Sequence, residues 1–239
     1  MAMNYSPYPE WVSRTDPKPR LWYAEEYHRL HDLGFFLDQR VELIGGVIIG
    51  FDTKKPRPWT AEEFYRLLDL GFFQDQRVEL IGGVILQMAA QKNFHAAGIS
   101  LTEHALAAVF GPAYWVRVQA TLDLSPLSIP DPDLAVIVGS PRTPSAQNPR
   151  SALLVVEVSD TTLSNDRGSE ASLYAASAIA DYWIVNLVNR QVEVYRNPVT
   201  DTREPFGWRY DAVQFFGPGE FVTPLAAPQS KVAVDDLLP

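Results

Sequence analysis

Short apolar runs and alternating stretches divide this chain, and their spacing predicts a mixed α/β fold. Residues 134–138 and 153–158 are apolar runs of buried-strand length; Asp133 opens the first and Glu157 lies at the close of the second. Residues 114–124 alternate instead, with Val116, Val118, Ala120 and Leu122 on one side and Trp115, Arg117 and Gln119 on the other. That is the pattern of a half-buried strand. Ile99, Leu101, Ala105, Leu106 and Val109 recur at helical spacing and predict a helix over 93–110, which Gly111-Pro112 stops. Residues 166–179 read as a second helix, with Leu173, Tyr174 and Ala178 on one side and N-caps in Ser164-Asn165-Asp166. Residues 182–187 and 192–196 form a hairpin pair. A strand follows near 209–216, with weaker candidates at 221–222 and 231–234. The sum is a mixed sheet flanked by helices, with several strand ends on one edge.

The N-terminal third is organised by a repeat. Residues 19–48 and 56–85 align at an offset of 37 and are identical at 24 of 30 positions. Each copy reads as a short helix and a hairpin. In the second, Leu67, Leu68, Leu70 and Phe72 supply the apolar side, and Gly82-Gly83 joins residues 78–81 to 84–86 through a turn that needs positive φ. Thr60-Ala61-Glu62-Glu63 is a capping box, whereas the first copy has Tyr23 in place of the threonine. The second copy runs on without a break, and the first ends in a linker, Phe51-Asp52-Thr53-Lys54-Lys55-Pro56. The domain is therefore expected to span 58–239, with 21–57 as a duplicated add-on and 1–20, punctuated by Pro7, Pro9, Pro17 and Pro19, as a flexible tail. Two units are too few for a solenoid. The extra copy could cover an edge, or exchange with a second chain to make a homodimer.

Composition narrows the chemistry. The absence of cysteine excludes disulfides and thiolate-held zinc or iron–sulfur clusters. No apolar run approaches the roughly 20 residues of a membrane span. The N-terminus lacks the basic and apolar regions of a signal peptide, so a cytoplasmic location is expected. The net charge of −9 falls entirely after residue 57 and argues against a strong nonspecific grip on nucleic acid.

Against that background the acids stand out. A desolvated carboxylate is costly unless it is paired or bound to a metal. Asp133 and Glu157, at the ends of neighbouring strands, could meet and hold Mg²⁺ or Mn²⁺, which take oxygen ligands and keep waters. Alternatively, Asp133 is a turn residue and Glu157 a hydrogen-bonded core acid. His95, in the first turn of its helix with Lys92 nearby, and Gln119, on its strand, could serve the same site or simply face solvent.

The motifs together resemble the Uma2 family. The resemblance rests on Pro132-Asp133-Leu134-Ala135-Val136, then Val156-Glu157-Val158-Ser159-Asp160, then Asp166-Arg167 ahead of Leu173-Tyr174-Ala175, then Asp181-Tyr182-Trp183-Ile184-Val185. Upstream, Arg77-Val78-Glu79-Leu80-Ile81-Gly82-Gly83 resembles the family's N-terminal hairpin, and His95 falls where it often has a histidine. The similarity covers about residues 58–200. It implies the restriction-endonuclease-like fold of the PD-(D/E)XK superfamily and a metal-dependent DNA endonuclease. Asp133 and Glu157 would be the metal ligands, and Glu79 a further acid completing the site. His95, Gln119, Asp166 and Arg167 would be accessory. Two departures count against catalysis. Ser159 stands at the motif lysine, which the family commonly lacks, and Glu170 stands where similar members have a lysine four residues after Asp166. Arg167 or Lys92 would have to substitute. The other reading is a catalytically impaired relative that binds DNA or protein.

Overall fold

The computed structural model describes residues 7–12 and 17–239. The chain divides into two compact units, one of residues 1–89 with 126–129, the other of 90–125 with 130–239.

The first unit contains β1 (Lys18–Pro19), α1 (Ala24–Asp32), β2 (Val41–Ile44), β3 (Val47–Gly50), α2 (Ala61–Asp69), β4 (Val78–Ile81) and β5 (Val84–Gln87). The repeat thus folds twice into the same helix and hairpin. Gly82 and Gly83 turn the second hairpin at φ 55° and 78°, a left-handed pair that side chains resist. At the start of α2 the Glu63 N–H donates to the Thr60 hydroxyl (3.3 Å), and the Thr60 N–H donates to the Glu63 carboxylate (3.0 Å). The first copy keeps the second of these bonds, from Tyr23 N–H to Glu26 (3.0 Å). Phe64, Leu67, Phe72 and Phe73 are buried, but Leu68, expected among them, is 42% exposed. Phe64 and Leu67, three apart, already define the inward stripe, and Leu68 falls beyond its rim. Lys18–Pro19, inside the stretch read as a tail, pairs antiparallel with Leu86 and Gln87 of β5. Residues 1–6 and 13–16 of that stretch lie outside the described residues.

The second unit contains α3 (Asn93–Phe110), β6 (Tyr114–Val118), β7 (Leu134–Val138), β8 (Leu154–Ser159), α4 (Leu163–Asn165), a π-helical turn (Asp166–Glu170), α5 (Ala171–Ala176), β9 (Asp181–Asn186), β10 (Gln191–Thr200), β11 (Trp208–Phe216), β12 (Phe221–Val222), β13 (Val232–Ala233) and a 3₁₀ turn (Val234–Leu237). Six strands form one sheet in the order β11-β10-β9-β8-β7-β6. Neighbours are antiparallel except β8 and β9. A parallel pair needs a long crossover, and the helical path from α4 to α5 provides it. Strand alternation then sorts the core. Leu134, Val136, Val156, Val158, Trp183 and Val185 cluster with Ile99, Leu106 and Phe110 of α3. Ala135, Val155, Tyr182 and Ile184 cluster with Ala171, Tyr174 and Ala175 of α5. The result is the mixed sheet flanked by helices that the pattern predicts. The strand expected over 114–124 stops at Val118, because Gln119 takes φ +47° and turns the chain out of the ladder. Among the described residues no helix is long and apolar enough to cross a membrane.

Candidate active site

The β7–β8 register pairs Leu134 with Val156, so one step further sets Asp133 opposite Glu157. The β6–β7 ladder ends where Val118 pairs with Leu134, and Gln119, just past it, donates its N–H to the Asp133 carbonyl at 3.0 Å. Residues directly opposite in an antiparallel ladder project to the same face. The ladder thus aligns Asp133 with Glu157, and the turn at Gln119 brings its side chain to the same place. Reciprocal bonds lock the acids: the Asp133 N–H donates to Glu157 Oε2 (3.0 Å), and the Val158 N–H donates to Asp133 Oδ2 (3.0 Å). Tyr174, from α5, donates its hydroxyl to Glu157 Oε1 at 2.7 Å. On the other acid, Gln119 Nε2 donates to Asp133 Oδ1 (3.2 Å), and His95 Nε2 lies 3.1 Å from that same oxygen.

His95 reaches Asp133 because α3 runs close to the sheet. A Cβ on Gly98, one turn after His95, would stand 2.8 Å from Val158 Cγ1 and 3.4 Å from Leu187 Cδ2. Gly98→Ala should therefore destabilise the protein by about 1–2 kcal/mol despite alanine's better helix propensity. It should also loosen the His95–Asp133 contact. Thermal unfolding, together with the His95 ring resonance in NMR, checks both; a more stable variant with an unshifted ring would show that the close approach is not needed.

The electrostatics are lopsided toward negative charge. Burial, then Glu170, Asp133 and Asp166, push the Glu157 carboxyl well above its usual value, and the Tyr174 hydrogen bond only partly offsets them. Asp166, on the π-helical turn, is pushed up to about 6 by burial, against the pull of the Ser159 and Thr162 hydroxyls. Thr162 donates to Asp166 Oδ2 at 2.9 Å. Ser159 Oγ is buried, and its hydroxyl bears on Asp166 without meeting strict hydrogen-bond geometry.

The remaining sequence-derived candidates have the following surroundings. Arg167 holds Glu193 in a two-point pair (2.9 and 2.6 Å), and Glu193 also receives Asn186 and Tyr195. Lys92 pairs with Asp160 at 3.7 Å. Glu170 accepts from Asn165 (2.6 Å) while its charge bears on Glu157. Glu79 is buried on β4, in the first unit. Sequence reading missed Tyr174, placing it simply on a helix's apolar side. The available signal was chemical: a buried tyrosine hydroxyl usually finds a polar partner, and an acid on a buried strand needs a donor.

Among the described residues no group of three or more His, Cys, Asp or Glu closes into metal-holding geometry. The chemistry of the donor set nevertheless suits a hard cation. Two carboxylates lie side by side with further acids near them, and burial first, neighbouring acids second, lift the proton affinities of Glu157 and Asp166, a cost that a bound cation would relieve. Mg²⁺ is commonly held by one or two carboxylates with waters completing its shell.

A six-stranded mixed sheet between helices, with an acid pair at the ends of adjacent strands, defines a nuclease-type scaffold. The chain belongs to the Uma2 family, described as "Putative restriction endonuclease", whose model matches residues 61–235. Among solved structures it is similar to a "putative nuclease belonging to DUF820" from Anabaena variabilis, at 18% identity and a TM-score of 0.55, covering 75% of this chain and 97% of that one. None of the curated proteins matches.

Proposed function

We propose that the protein is a divalent-metal-dependent DNA endonuclease that hydrolyses phosphodiester bonds at the Asp133–Glu157 pair. The observation that carries this reading is the interlocked pair itself, two carboxylates fixed by each other's strand with excess negative charge around them. Asp133 and Glu157 would hold Mg²⁺ or Mn²⁺, and the ion would supply Lewis-acid polarisation of the phosphate and a more acidic water. The rest falls to the chain's own groups. Tyr174 holds Glu157 Oε1, while Gln119 and His95 fix Asp133 Oδ1, so neither carboxylate swings. His95, when protonated, places positive charge against Asp133, where the motif lysine position offers only the Ser159 hydroxyl. An acidic body makes contact with DNA a local matter of this edge.

A second reading, a family member that binds nucleic acid or protein without cutting, draws support from the two charged candidates. Arg167 is tied to Glu193, and Lys92 is paired with Asp160. Calorimetric titration of Mn²⁺ followed by plasmid nicking on the same sample separates the readings. Binding with nicking is the expected result. Binding without nicking favours the second reading, and no binding leaves Asp133 and Glu157 as structural acids.

A further inference from the structure

The two copies of the repeat do not merely resemble each other; they face each other. Trp22 and Trp59 occupy the same position in the two copies, and their rings touch at 4.9 Å between centroids. Equivalent residues also meet when repeats stack by translation, so the contacts around this pair decide the symmetry. The flanking contacts come in reciprocal pairs. Arg29 Nη2 donates to Leu70 O (3.0 Å), and Arg66 Nη2 donates to Leu33 O (2.6 Å). The Arg29 guanidinium lies 4.4 Å over the Phe72 ring, and that of Arg66 lies 4.4 Å over Phe35. Trp22 stands 6.2 Å from Phe72, and Trp59 stands 6.2 Å from Phe35. Each contact maps onto its partner when the repeat offset is applied. One patch meeting its own copy about a two-fold axis is the defining property of an isologous dimer interface.

We propose that the first copy stands in for a second subunit. The α2 face of the second copy is a self-complementary dimerisation surface, and the duplication fills it within one chain, leaving that chain monomeric. Two further observations fit. The family match begins at residue 61, inside the second copy, and leaves the first outside. The hairpin of the first copy also carries an apolar residue without cover: Ile44 is 56% exposed, whereas its equivalent Ile81 is 3% exposed. Ile81's hairpin is lined by residues 126–129, with the Ile129 N–H on Leu80 O and the Leu127 carbonyl accepting from Gly83 N–H. The first copy thus reproduces a hairpin that in the second copy is covered by residues 126–129, and retains the face that meets its twin. The aromatic and arginine content of that face is the composition of an interface centre.

The chain is suited to the test because it contains no cysteine. Wild type should sediment as a 26.8 kDa monomer up to about 100 µM. The surface pairs Arg29→Cys/Leu70→Cys and Leu33→Cys/Arg66→Cys should each be joined within one chain by a short thiol-bridging reagent. Trp22→Asp/Phe35→Asp should release the first copy and convert the chain to a concentration-dependent dimer, and adding Phe72→Asp should return it to monomer. The milder Arg29→Ala/Phe35→Ala pair should shift the same way at higher concentration. A wild-type dimer, bridging that yields covalent dimers, failure of either pair to bridge, or a folded released variant that stays monomeric would each overturn the proposal.

Discussion

Asp133→Ala and Glu157→Ala should each lower divalent-metal-dependent cleavage of plasmid DNA by at least about 10²–10³-fold, the scale of removing a group that positions charge at a reacting centre. Both should also lose calorimetric Mn²⁺ binding. The fold should survive. Asp133→Ala leaves the Val158 N–H without its acceptor, at a cost of about 1–3 kcal/mol. The same change removes one of the like charges crowding Glu157, which offsets part of that cost. Glu157→Ala likewise frees the Asp133 N–H and the Tyr174 hydroxyl while relieving the repulsion. The measurement is nicking rate against Mn²⁺ concentration, with circular dichroism on the same preparations. A variant that stays folded and cuts at the wild-type rate would remove its residue from the site.

The two acids were legible in the sequence because strand periodicity is a local signal. Charges at the ends of two apolar runs needed only an antiparallel pairing to meet, and the β7–β8 register supplies it. His95 and Gln119 were identifiable as residue types, but their arrival at one oxygen of Asp133 depends on the close seating of α3 and on the chain turning at Gln119. No periodicity encodes either. Tyr174 was hidden for a related reason: a tyrosine at an apolar helical position serves the core and the acid equally well until the facing strand is known. Arg167 was a reasonable cation from its place beside Asp166, yet Glu193, 26 residues on, takes it. The repeat was plain in the sequence as identity, whereas its two-fold pairing was not, since self-complementarity becomes visible only when Trp22 and Trp59 are seen to touch.

Glu157→Gln should raise the stability of the metal-free protein while eliminating metal binding, and this pairing of effects separates a metal site from a structural acid. A carboxyl whose affinity for protons rises on folding binds more protons in the native state than in the unfolded one. Its contribution is favourable below the unfolded value and is lost as pH rises toward the folded one. Both Glu157 and Asp166 have this sign, and for Asp166 the loss runs from about 4 to about 6. The metal-free wild type should therefore unfold at a higher temperature at pH 5 than at pH 8. Glutamine removes the charge but keeps the bonds: its Oε1 can accept from the Asp133 N–H, and its Nε2 can donate to the Tyr174 hydroxyl, which turns to accept. A gain of about 1–2 kcal/mol at pH 8, or roughly 2–8 °C in Tm, is expected. Mn²⁺ should reverse the order. It stabilises the ionised carboxylates of wild type, so wild-type Tm should rise with Mn²⁺, and more at pH 8 than at pH 5, where protons compete for the same oxygens. The Gln variant should not respond. A Gln variant less stable than wild type at pH 8, in a protein whose Tm ignores Mn²⁺, would mean that Glu157 is ionised for the fold's sake. The surplus charge around it would then be a stable feature of the core and not a vacancy for a cation.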